Sequence, residues 1–367
     1  MKYFVLLLFL LSGFVLLPDG GSVKKSAQSR QNYRFFTGTY TQGNSEGIYE
    51  VTMSRDGKFL HRHLAVKTDN PSYLALSPGK KFLLAINENN PGTVESYAVR
   101  GDTLLRLSRR LSGGDAPCFV SVNREGNVLT ANYGSGTVGL LKMDMKGDLS
   151  PLLFVENHHA AGKAAHAHEA RFFPGTREMV SVDLGTNQLW FSRLAAGGKK
   201  LVPDSQKRLS LPPGSGPRHF VLHPNGKWMY VVNELGNTVS LVQKTVDGQW
   251  VLRQTVSTLP KNFRGTSYCA EIRITKDGRF LYVSNRGHNS LALFRVTPSG
   301  DDLELRANFS VHGNFPRFFT LTPDEKYLLV ANQKSDNIVV FRRDQQTGRL
   351  QYTDQMRIAA PVCMVFF

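Results

Sequence analysis

The side chains best suited to chemistry in this chain are histidines, arginines and glutamates that recur at two places of a repeated pattern. The first place is the start of an apolar run, where successive copies carry Ser72, Cys118, His168, Arg218, Ala270 and Arg317. The next position carries Tyr73, Glu169, His219 and Glu271. The second place is the end of the following run, where the copies carry Glu88, Tyr133, Leu184, Glu234, Arg286 and Gln333.

These residue types suit the hydrolysis of an ester. Ester hydrolysis requires a base that deprotonates water, donors that hold the oxyanion and an acid for the leaving alkoxide. His168 or Glu234 is a candidate base, because either group titrates usefully when it is partly desolvated beside cations. Arg218 and Arg286 would bind a phosphate or carboxylate of the substrate and stabilise the oxyanion. We expect direct attack by water and not a covalent acyl-enzyme.

The same positions belong to a repeat that predicts the fold. Clear copies are "GPRHFVLHPNGKWMYVVNELGNTVSLV" and "FPRFFTLTPDEKYLLVANQKSDNIVVF", which hold short apolar runs separated by turn residues. At intervals of about 50 residues, the second run of each copy closes with an Asn or Asp: Asn87, Asn132, Asp183, Asn233, Asn285 and Asn332. We interpret these residues as turn formers. With a shorter seventh copy from Arg34 to Met53, the pattern predicts an all-β, seven-bladed β-propeller.

The propeller geometry predicts where the polar positions lie. The first strand of a blade is nearest the axis and runs antiparallel to the second, so the start of one meets the end of the other beside the axial channel. The framework around them repeats as "FLY", "WMY" or "YLL", whereas these positions differ from blade to blade. We therefore expect a binding ring at the channel mouth. One pocket should be surrounded by His168, Arg218, Glu234, Glu271 and Arg286.

The two ends of the repeated region are predicted to close the ring. The first copy lacks an opening run, and the chain finishes with an unmatched one, "APVCMVFF", from Ala360 to Phe367. An open ring would expose two sheet edges. We expect residues 360–367 to supply the innermost strand of the blade begun by residues 34–53.

The N-terminal segment has the features of an export signal. Lys2 precedes an apolar run from Tyr3 to Leu17 that is short for a transmembrane helix. Neither an Ala-x-Ala site nor a lipid-accepting Cys follows it, so an uncleaved anchor is the alternative. The expected organisation is a signal at residues 1–21, a linker at 22–33 and one propeller domain at 34–367. The processed protein is expected in the periplasm or outside the cell. Once the signal is cleaved, no stable membrane span is expected.

The cysteines and the net charge limit the possible ligands. Cys118, Cys269 and Cys363 each fall near the start of a blade's first run, so buried thiols are expected and disulfides are not. None belongs to a closely spaced Cys/His pair, and neither a metal nor another cofactor is expected. The net charge of +16 favours acidic ligands. Because the basic residues are spread over all blades without a stripe, nucleic acid is not an expected partner.

Several motifs resemble one known family. "AHAH" (165–168), "GSGPRHF" (214–220), "YVVNELGNTVS" (230–240), "CAEIRIT" (269–275) and "YVSNRGHNS" (282–290) are similar to motifs of the bacterial lactonase family of seven-bladed propellers. The named activity of that family is 6-phosphogluconolactonase, and the family is similar to the fungal carboxy-cis,cis-muconate cyclases. The resemblance covers residues 34–367.

The resemblance implies a metal-free site that acts on an anionic lactone. The matching positions are His168 in "HAH", Arg218 in "GPRH", Glu234 in "VNE" and Arg286 in "SNRG". The residues that we expect to bind substrate beside them are His166, His219, Glu271, Glu88 and Arg317. An export signal departs from the family's usual activity, because 6-phosphogluconolactone is a cytosolic intermediate.

Other interpretations stay open at this point. A non-catalytic exported propeller would use the same mouth to bind a carbohydrate or a protein, and a muconate-type lyase would close a lactone ring. Arg218 and Glu234 belong to one blade, so they also suit a structural ion pair. His219 also suits a hydrogen bond between blades. His158 and His159 lie outside the predicted mouth and are expected to be exposed. The oligomeric state is not indicated by these patterns.

Overall fold

The computed structural model describes residues 1–3, 31–159 and 164–367. The predicted signal at 1–21 and linker at 22–33 lie outside these ranges, apart from residues 1–3 and 31–33. No helix among the described residues is long and apolar enough to cross a membrane.

Residues from Tyr33 onwards form seven antiparallel sheets of four strands each, which we call blades 1 to 7. Blade 1 contains, from the axis outwards, β28 (Pro361–Phe366), β1 (Tyr33–Thr39), β2 (Gly47–Met53) and β3 (Phe59–Lys67). Blade 2 contains β4 (Leu74–Leu76), β5 (Phe82–Asn87), β6 (Thr93–Arg100) and β7 (Thr103–Leu111). Blade 3 contains β8 (Pro117–Val122), β9 (Asn127–Asn132), β10 (Thr137–Lys142) and β11 (Phe154–Asn157).

The remaining blades repeat this order. Blade 4 contains β12 (Ala167–Phe172), β13 (Glu178–Asp183), β14 (Gln188–Leu194) and β15 (Leu201–Ser210). Blade 5 contains β16 (Pro217–Leu222), β17 (Trp228–Asn233), β18 (Thr238–Lys244) and β19 (Trp250–Ser257). Blade 6 contains β20 (Tyr268–Ile274), β21 (Phe280–Arg286), β22 (Ser290–Val296) and β23 (Leu303–Ser310). Blade 7 contains β24 (Pro316–Leu321), β25 (Tyr327–Asn332), β26 (Asn337–Arg343) and β27 (Leu350–Arg357).

The innermost strands form a closed ring, in which β4, β8, β12, β16, β20, β24 and β28 each contact the next and β28 contacts β4. The predicted seven-bladed propeller is therefore confirmed. The second strands are the most buried, and every residue of β9, β17 and β25 is buried. Both faces of these strands pack against neighbouring blades, which explains why their sequences are mostly apolar.

The predicted ring closure is also confirmed. β28 pairs with β1, with Phe35 opposite Phe366 and Phe36 opposite Val365. The rings of Phe36 and Phe367 stack with their centroids 4.3 Å apart. The last residues of the chain thus cover an edge of β1 that would otherwise be exposed.

The aromatic framework joins neighbouring blades. The hydroxyl of Tyr230 in blade 5 donates to the carbonyl of Gly300 in blade 6 at 2.7 Å, and Tyr282 makes the same contact with Gly348 in blade 7 at 2.6 Å. A Cβ added to Gly300 would lie 2.7 Å from Trp228, and its φ is +85°. Only glycine fits this turn beneath the ring of the preceding blade.

The repeated Asn residues connect blades as well as forming turns. The side-chain amide of Asn132 donates to the carbonyl of Ser112 at 3.2 Å, and that of Asn332 donates to the carbonyl of Val311 at 3.1 Å. Both carbonyls belong to the segment that leaves the preceding blade. Asp183 lacks this amide, and its Oδ2 instead lies 3.0 Å from Nδ1 of His158. The expectation that His158 is exposed was wrong, because its side chain is fully buried.

The three cysteines are free and buried, as expected. Burial raises the pKa of Cys269 and of Cys363 to about 12. These thiols therefore stay protonated and pack as small apolar groups.

Candidate active site

The bulged residues of the innermost strands in blades 3, 4, 5 and 7 provide one ring of the channel mouth. In blade 4, Ala167 pairs with Asp183 and Glu169 with Val182, which leaves His168 out of the strand register. The same bulge displaces Cys118 in blade 3, Arg218 in blade 5 and Arg317 in blade 7. A bulge re-aims the side chain of its extra residue. The polar positions at the start of the repeat are thus the residues that each strand turns away from its ladder.

A backbone hydrogen bond places the second ring next to the first. The amide of Glu234 donates to the carbonyl of Gly216 at 2.7 Å, two residues before the bulged Arg218. The amides of Tyr133 and Gln333 make the equivalent bonds in blades 3 and 7. The two places that vary between repeats therefore lie side by side at the same end of the propeller.

Glu234 holds two arginines together at this end. Its Oε2 lies 3.1 Å from Nε of Arg218 and 2.8 Å from Nη2 of Arg286. The side chains of both arginines are almost fully buried, whereas that of Glu234 is 18% exposed. Burial lowers the pKa of Arg286 to about 10, with Arg218 and Arg317 adding to this effect and Glu234 opposing it. The carboxylate thus stabilises two neighbouring cations that would otherwise repel each other.

A second charged group lies beside the first. The hydroxyl of Tyr40 donates to Oε2 of Glu88 at 2.8 Å, and Nη2 of Arg317 lies 3.8 Å from the same oxygen. Charges from Glu88, Arg218, Arg317 and Glu234 all act on the buried thiol of Cys118, whose pKa is raised mainly by burial. Residues from blades 2, 5 and 7 therefore converge around the start of β8. Three guanidinium groups against two carboxylates leave this mouth with net positive charge.

His168 is a neutral imidazole between these charges. Burial, followed by the charges of Arg218, His219 and Arg317, lowers its pKa well below the ordinary value. Among the described residues, none hydrogen-bonds to its buried Nδ1 atom. Its ring meets that of His219 edge to face, with the centroids 5.0 Å apart. A bound anion would offset the arginine charges and make protonation of His168 less costly.

His166 is a second imidazole of defined orientation. Its Nδ1 lies 2.9 Å from the carbonyl of Tyr133, and its ring stacks on the Tyr133 ring at 4.4 Å. A carbonyl only accepts hydrogen bonds, so Nδ1 donates to it and Nε2 is the nitrogen left for another partner. The side chain is half-buried. His166 is therefore a second imidazole that a substrate at the mouth can reach.

His219 and Glu271 lie behind the mouth. Glu271 is fully buried; its Oε2 is 3.2 Å from Nδ1 of His219, and its Oε1 accepts from Nη1 of Arg273 at 2.6 Å. Arg273 lines a different cavity of about 400 Å³, with Arg171 and Phe318. The Nη1 atom of Arg218 lies 3.2 Å from Nδ1 of His219. The structure thus brings His168, Arg218, Glu234 and Arg286 together, and His219 connects Glu271 to Arg218.

Two mouth residues escaped the sequence pattern. Tyr40 follows β1 as Glu88 follows β5, and its amide makes the same backbone bond, here to the carbonyl of Ala360. Blade 1 lacks the Asn that marked this position elsewhere, so alignment of the copies missed Tyr40. Phe315 precedes β24, and the guanidinium of Arg286 lies 5.1 Å from the centre of its ring. It belongs to neither repeated position.

One serine matches a nucleophile motif only in letters. Residues 43–47 read Gly-Asn-Ser-Glu-Gly, which has the G-x-S-x-G spacing. That motif requires a turn from a strand into a helix, whereas Ser45 lies between β1 and β2. Its buried hydroxyl is 2.6 Å from that of Thr39. The geometry does not present Ser45 as a nucleophile.

The seven-bladed ring and its cationic mouth define a class of propeller, and the comparisons with known proteins identify the family. Residues 34–366 match the family model "Lactonase, 7-bladed beta-propeller". The chain belongs to this family. It is 36% identical to a 6-phosphogluconolactonase of Bacillus subtilis over 346 residues, which are 91% of this chain and 98% of the relative. It is 33% identical to an uncharacterised protein of Lactococcus lactis, over 86% of this chain and 94% of that one.

Two solved structures have the same architecture. A periplasmic gluconolactonase of Pseudomonas aeruginosa superposes with a TM-score of 0.87 at 30% identity, covering 92% of this chain and 99% of the other. A putative 6-phosphogluconolactonase of Bacteroides fragilis superposes with a TM-score of 0.85 at 30% identity, covering 93% and 99%. The family thus includes a named lactonase and uncharacterised members.

Proposed function

We propose that this protein is a metal-independent lactonase that hydrolyses an anionic sugar lactone, 6-phospho-D-glucono-1,5-lactone being the expected substrate and 6-phosphogluconate the product. The observation that carries the proposal is the convergence of Arg218, Arg286 and Arg317 with the imidazoles of His168 and His166 at one mouth. The likeness to the Bacillus subtilis enzyme supports the same reaction class.

The arginines would bind the anionic group and the developing oxyanion. Arg218 and Arg286 are held almost fully buried by Glu234, so their positions are set before substrate arrives. Preorganised cations in a partly desolvated site stabilise developing negative charge more strongly than water does. Because the mouth carries net positive charge, a phosphorylated or carboxylated lactone should bind better than a neutral one.

A histidine would act as the base. Water attacks the lactone carbonyl and gives its proton to the imidazole of His168, and the ring C–O bond then breaks as a proton returns to the ring oxygen. The depressed pKa of His168 favours the neutral form that can accept a proton. Glu234 is less suited to this role because both guanidinium groups occupy its Oε2. His166 is the alternative base.

Metal independence is supported by the arrangement of possible ligands. Within the described residues, one group of three His, Cys, Asp or Glu side chains is close enough to hold a metal ion, and it lies on β2 and β3. These strands are the outer half of blade 1. Chelators are therefore expected to leave lactone hydrolysis unchanged.

We also propose export, based on the predicted signal at residues 1–21. The Pseudomonas aeruginosa relative is named a periplasmic gluconolactonase, which favours a second candidate, an unphosphorylated sugar lactone hydrolysed outside the cytoplasm. In that case Arg218 and Arg286 would stabilise the developing oxyanion and would not bind a phosphate group.

The decisive experiment is a panel of lactones with and without a phosphate group. The purified protein should open the phosphorylated lactone above its spontaneous rate, and Arg218→Ala should raise KM for that substrate more than for gluconolactone. The control Arg306→Ala removes an exposed arginine that pairs with Glu304 on the outer strand of blade 6. Equal effects of Arg218→Ala on both lactones would support the unphosphorylated substrate. No hydrolysis of any lactone would refute the proposal, and conversion of an unsaturated diacid would favour a lyase.

A further inference from the structure

A second group of chemically active side chains lies on the outer strands of blade 1. Glu50 on β2 is opposite His63 on β3, and His61 is opposite Thr52 on the same strand pair. The Oε2 atom of Glu50 lies 3.5 Å from Nδ1 of His63 and 3.9 Å from Nε2 of His61. One ligand atom from each residue falls within 4.8 Å of the other two.

One oxygen of Glu50 is buried without a partner. The side chain has no exposed surface, and its Oε1 accepts from Nε of Arg34 at 2.7 Å and from Thr52 at 3.2 Å. Among the described residues, none donates a hydrogen bond to Oε2. A buried charged oxygen left unsatisfied is costly. This oxygen points toward the two imidazoles.

His63 presents its Nδ1 atom to the unpaired oxygen of Glu50. Its Nε2 lies 2.8 Å from the backbone carbonyl of Asp102 and 3.8 Å from Oδ2 of the same residue. Because a carbonyl only accepts, Nε2 donates to it, and Nδ1 is the nitrogen that faces the carboxylate of Glu50. A cation between Nδ1 and Oε2 would contact both atoms. Metal-binding histidines commonly donate their second N–H to a carbonyl in this way.

Blade 2 provides an internal comparison. Glu95 on β6 is the buried counterpart of Glu50, and Arg109 faces it as His63 faces Glu50. Its Oε1 lies 3.1 Å from Nη1 of Arg106, and its Oε2 accepts from Thr68 and Tyr97. Blade 2 therefore neutralises its buried carboxylate with permanent cations and hydroxyls. Blade 1 has imidazoles at these places and leaves one oxygen free.

We propose that Glu50, His61 and His63 form a binding site for a divalent transition metal, with Zn²⁺ as the reference ion. Imidazole and carboxylate are ligands that suit zinc. Bonds of about 2.0 to 2.1 Å in tetrahedral geometry separate ligand atoms by about 3.3 Å, so small side-chain movements would complete the site. The sequence-based expectation of no metal considered only closely spaced Cys/His pairs. The proposed site instead consists of two histidines and one carboxylate.

The expected role is structural. The ion would connect β2 to β3 in the blade that closes the ring, and His63 would extend the connection to Asp102 in the turn between β6 and β7. His61 is 61% exposed, which leaves the remaining coordination position to water. The neighbouring Arg34 cation reduces the affinity, so binding is expected to be reversible by chelators.

The test measures metal binding and stability and does not depend on hydrolysis. Protein stripped with a chelator and then dialysed should bind one Zn²⁺ in equilibrium dialysis, and Co²⁺ should give the visible spectrum of a low-coordinate N/O site. At a free Zn²⁺ concentration a hundredfold above its Kd, Tm should rise by about 4 °C. The double variant His61→Ala/His63→Ala should lose the bound ion and the Tm rise, whereas His159→Ala, which removes another exposed imidazole, should keep both.

Each result decides the proposal. Both exchanged histidines are at least partly exposed on an edge strand, so the metal-free double variant should melt near the metal-free wild type. The single variant His61→Ala should raise the Kd for Zn²⁺ at least tenfold. Equal Zn²⁺ binding by the wild type and the double variant, or binding without a rise in Tm, would overturn the site. Loss of lactone hydrolysis on chelation would contradict the proposed metal-independent function. The metal site itself is tested by Zn²⁺ binding and by Tm.

Discussion

The exchange Glu234→Gln tests whether this carboxylate organises the mouth or acts as the base. The carboxylate pairs with two almost fully buried guanidinium groups, at 3.1 and 2.8 Å. Removing one partner of a buried pair costs about 3 to 5 kcal/mol, and the 18% exposure of Glu234 places the effect near the lower end. An unfolding entropy of about 2.1 cal/mol/K per residue converts about 3 kcal/mol into a fall in Tm of about 4 °C for this propeller.

The same variant should keep the fall of kcat toward low pH that protonation of His168 as the base would produce. Glutamine removes one negative charge from the mouth, so KM for a phosphorylated lactone should not rise at low ionic strength. The measurements are calorimetric Tm and the pH dependence of kcat. The control Glu304→Gln removes an exposed partner of Arg306 and should change Tm by less than about 1 °C, because surface pairs contribute little.

Two outcomes would refute this reasoning. A Tm within about 1 °C of the wild type would mean that Glu234 does not stabilise the buried arginines. A loss of kcat of about a hundredfold or more, together with disappearance of the fall of kcat toward low pH, would identify Glu234 as the base and exclude His168 from that role.

Three further predictions concern other parts of the ring. Deleting residues 360–367 should abolish soluble expression, because β28 covers Phe35 and Phe36 and closes blade 1; a soluble truncation with native circular dichroism would contradict the closure. His168→Ala should lower kcat by about a hundredfold or more with little change in Tm, and full activity would exclude it as the base. Burial opposes the charge of His158, but Asp183 and Glu156 outweigh burial and raise its pKa. Its stabilising contribution should therefore be complete below about pH 6.5 and fall as pH rises through its folded pKa. The gap in unfolding free energy between the wild type and His158→Gln should shrink as the pH rises above about 6.5, and a gap that grows would reverse the assignment.

The repeat made the fold readable from sequence. Each blade repeats the same local pattern, which is an apolar run, a turn and a closing Asn or Asp. The spacing between copies can be read without knowing which blades are neighbours. The unmatched run from Ala360 to Phe367 predicted closure for the same reason. The positions of His168, Arg218 and Arg317 were predictable because they occupy one place in the repeat, where a bulge turns each side chain into the mouth.

The partners of these residues depend on neighbouring blades and were not predictable from local sequence. Glu271 faces Arg273 and His219 and not the mouth. His158 is buried because its ring stacks on Trp190 and pairs with Asp183, which stands where other copies carry Asn. The contact of Glu271 with His219 joins residues 52 positions apart, and that of His158 with Asp183 joins residues 25 positions apart.

Local patterns in the sequence determined the number of blades, the ring closure and most of the charged residues at the mouth. Only the tertiary structure decided how the charges pair. It placed two guanidinium groups on one oxygen of Glu234, brought Tyr40 into the mouth and left an oxygen of Glu50 free beside two histidines. Periodicity specifies backbone position, whereas the pairing of a buried charge depends on which side chains the adjacent strand and the adjacent blade bring within about 4 Å of it.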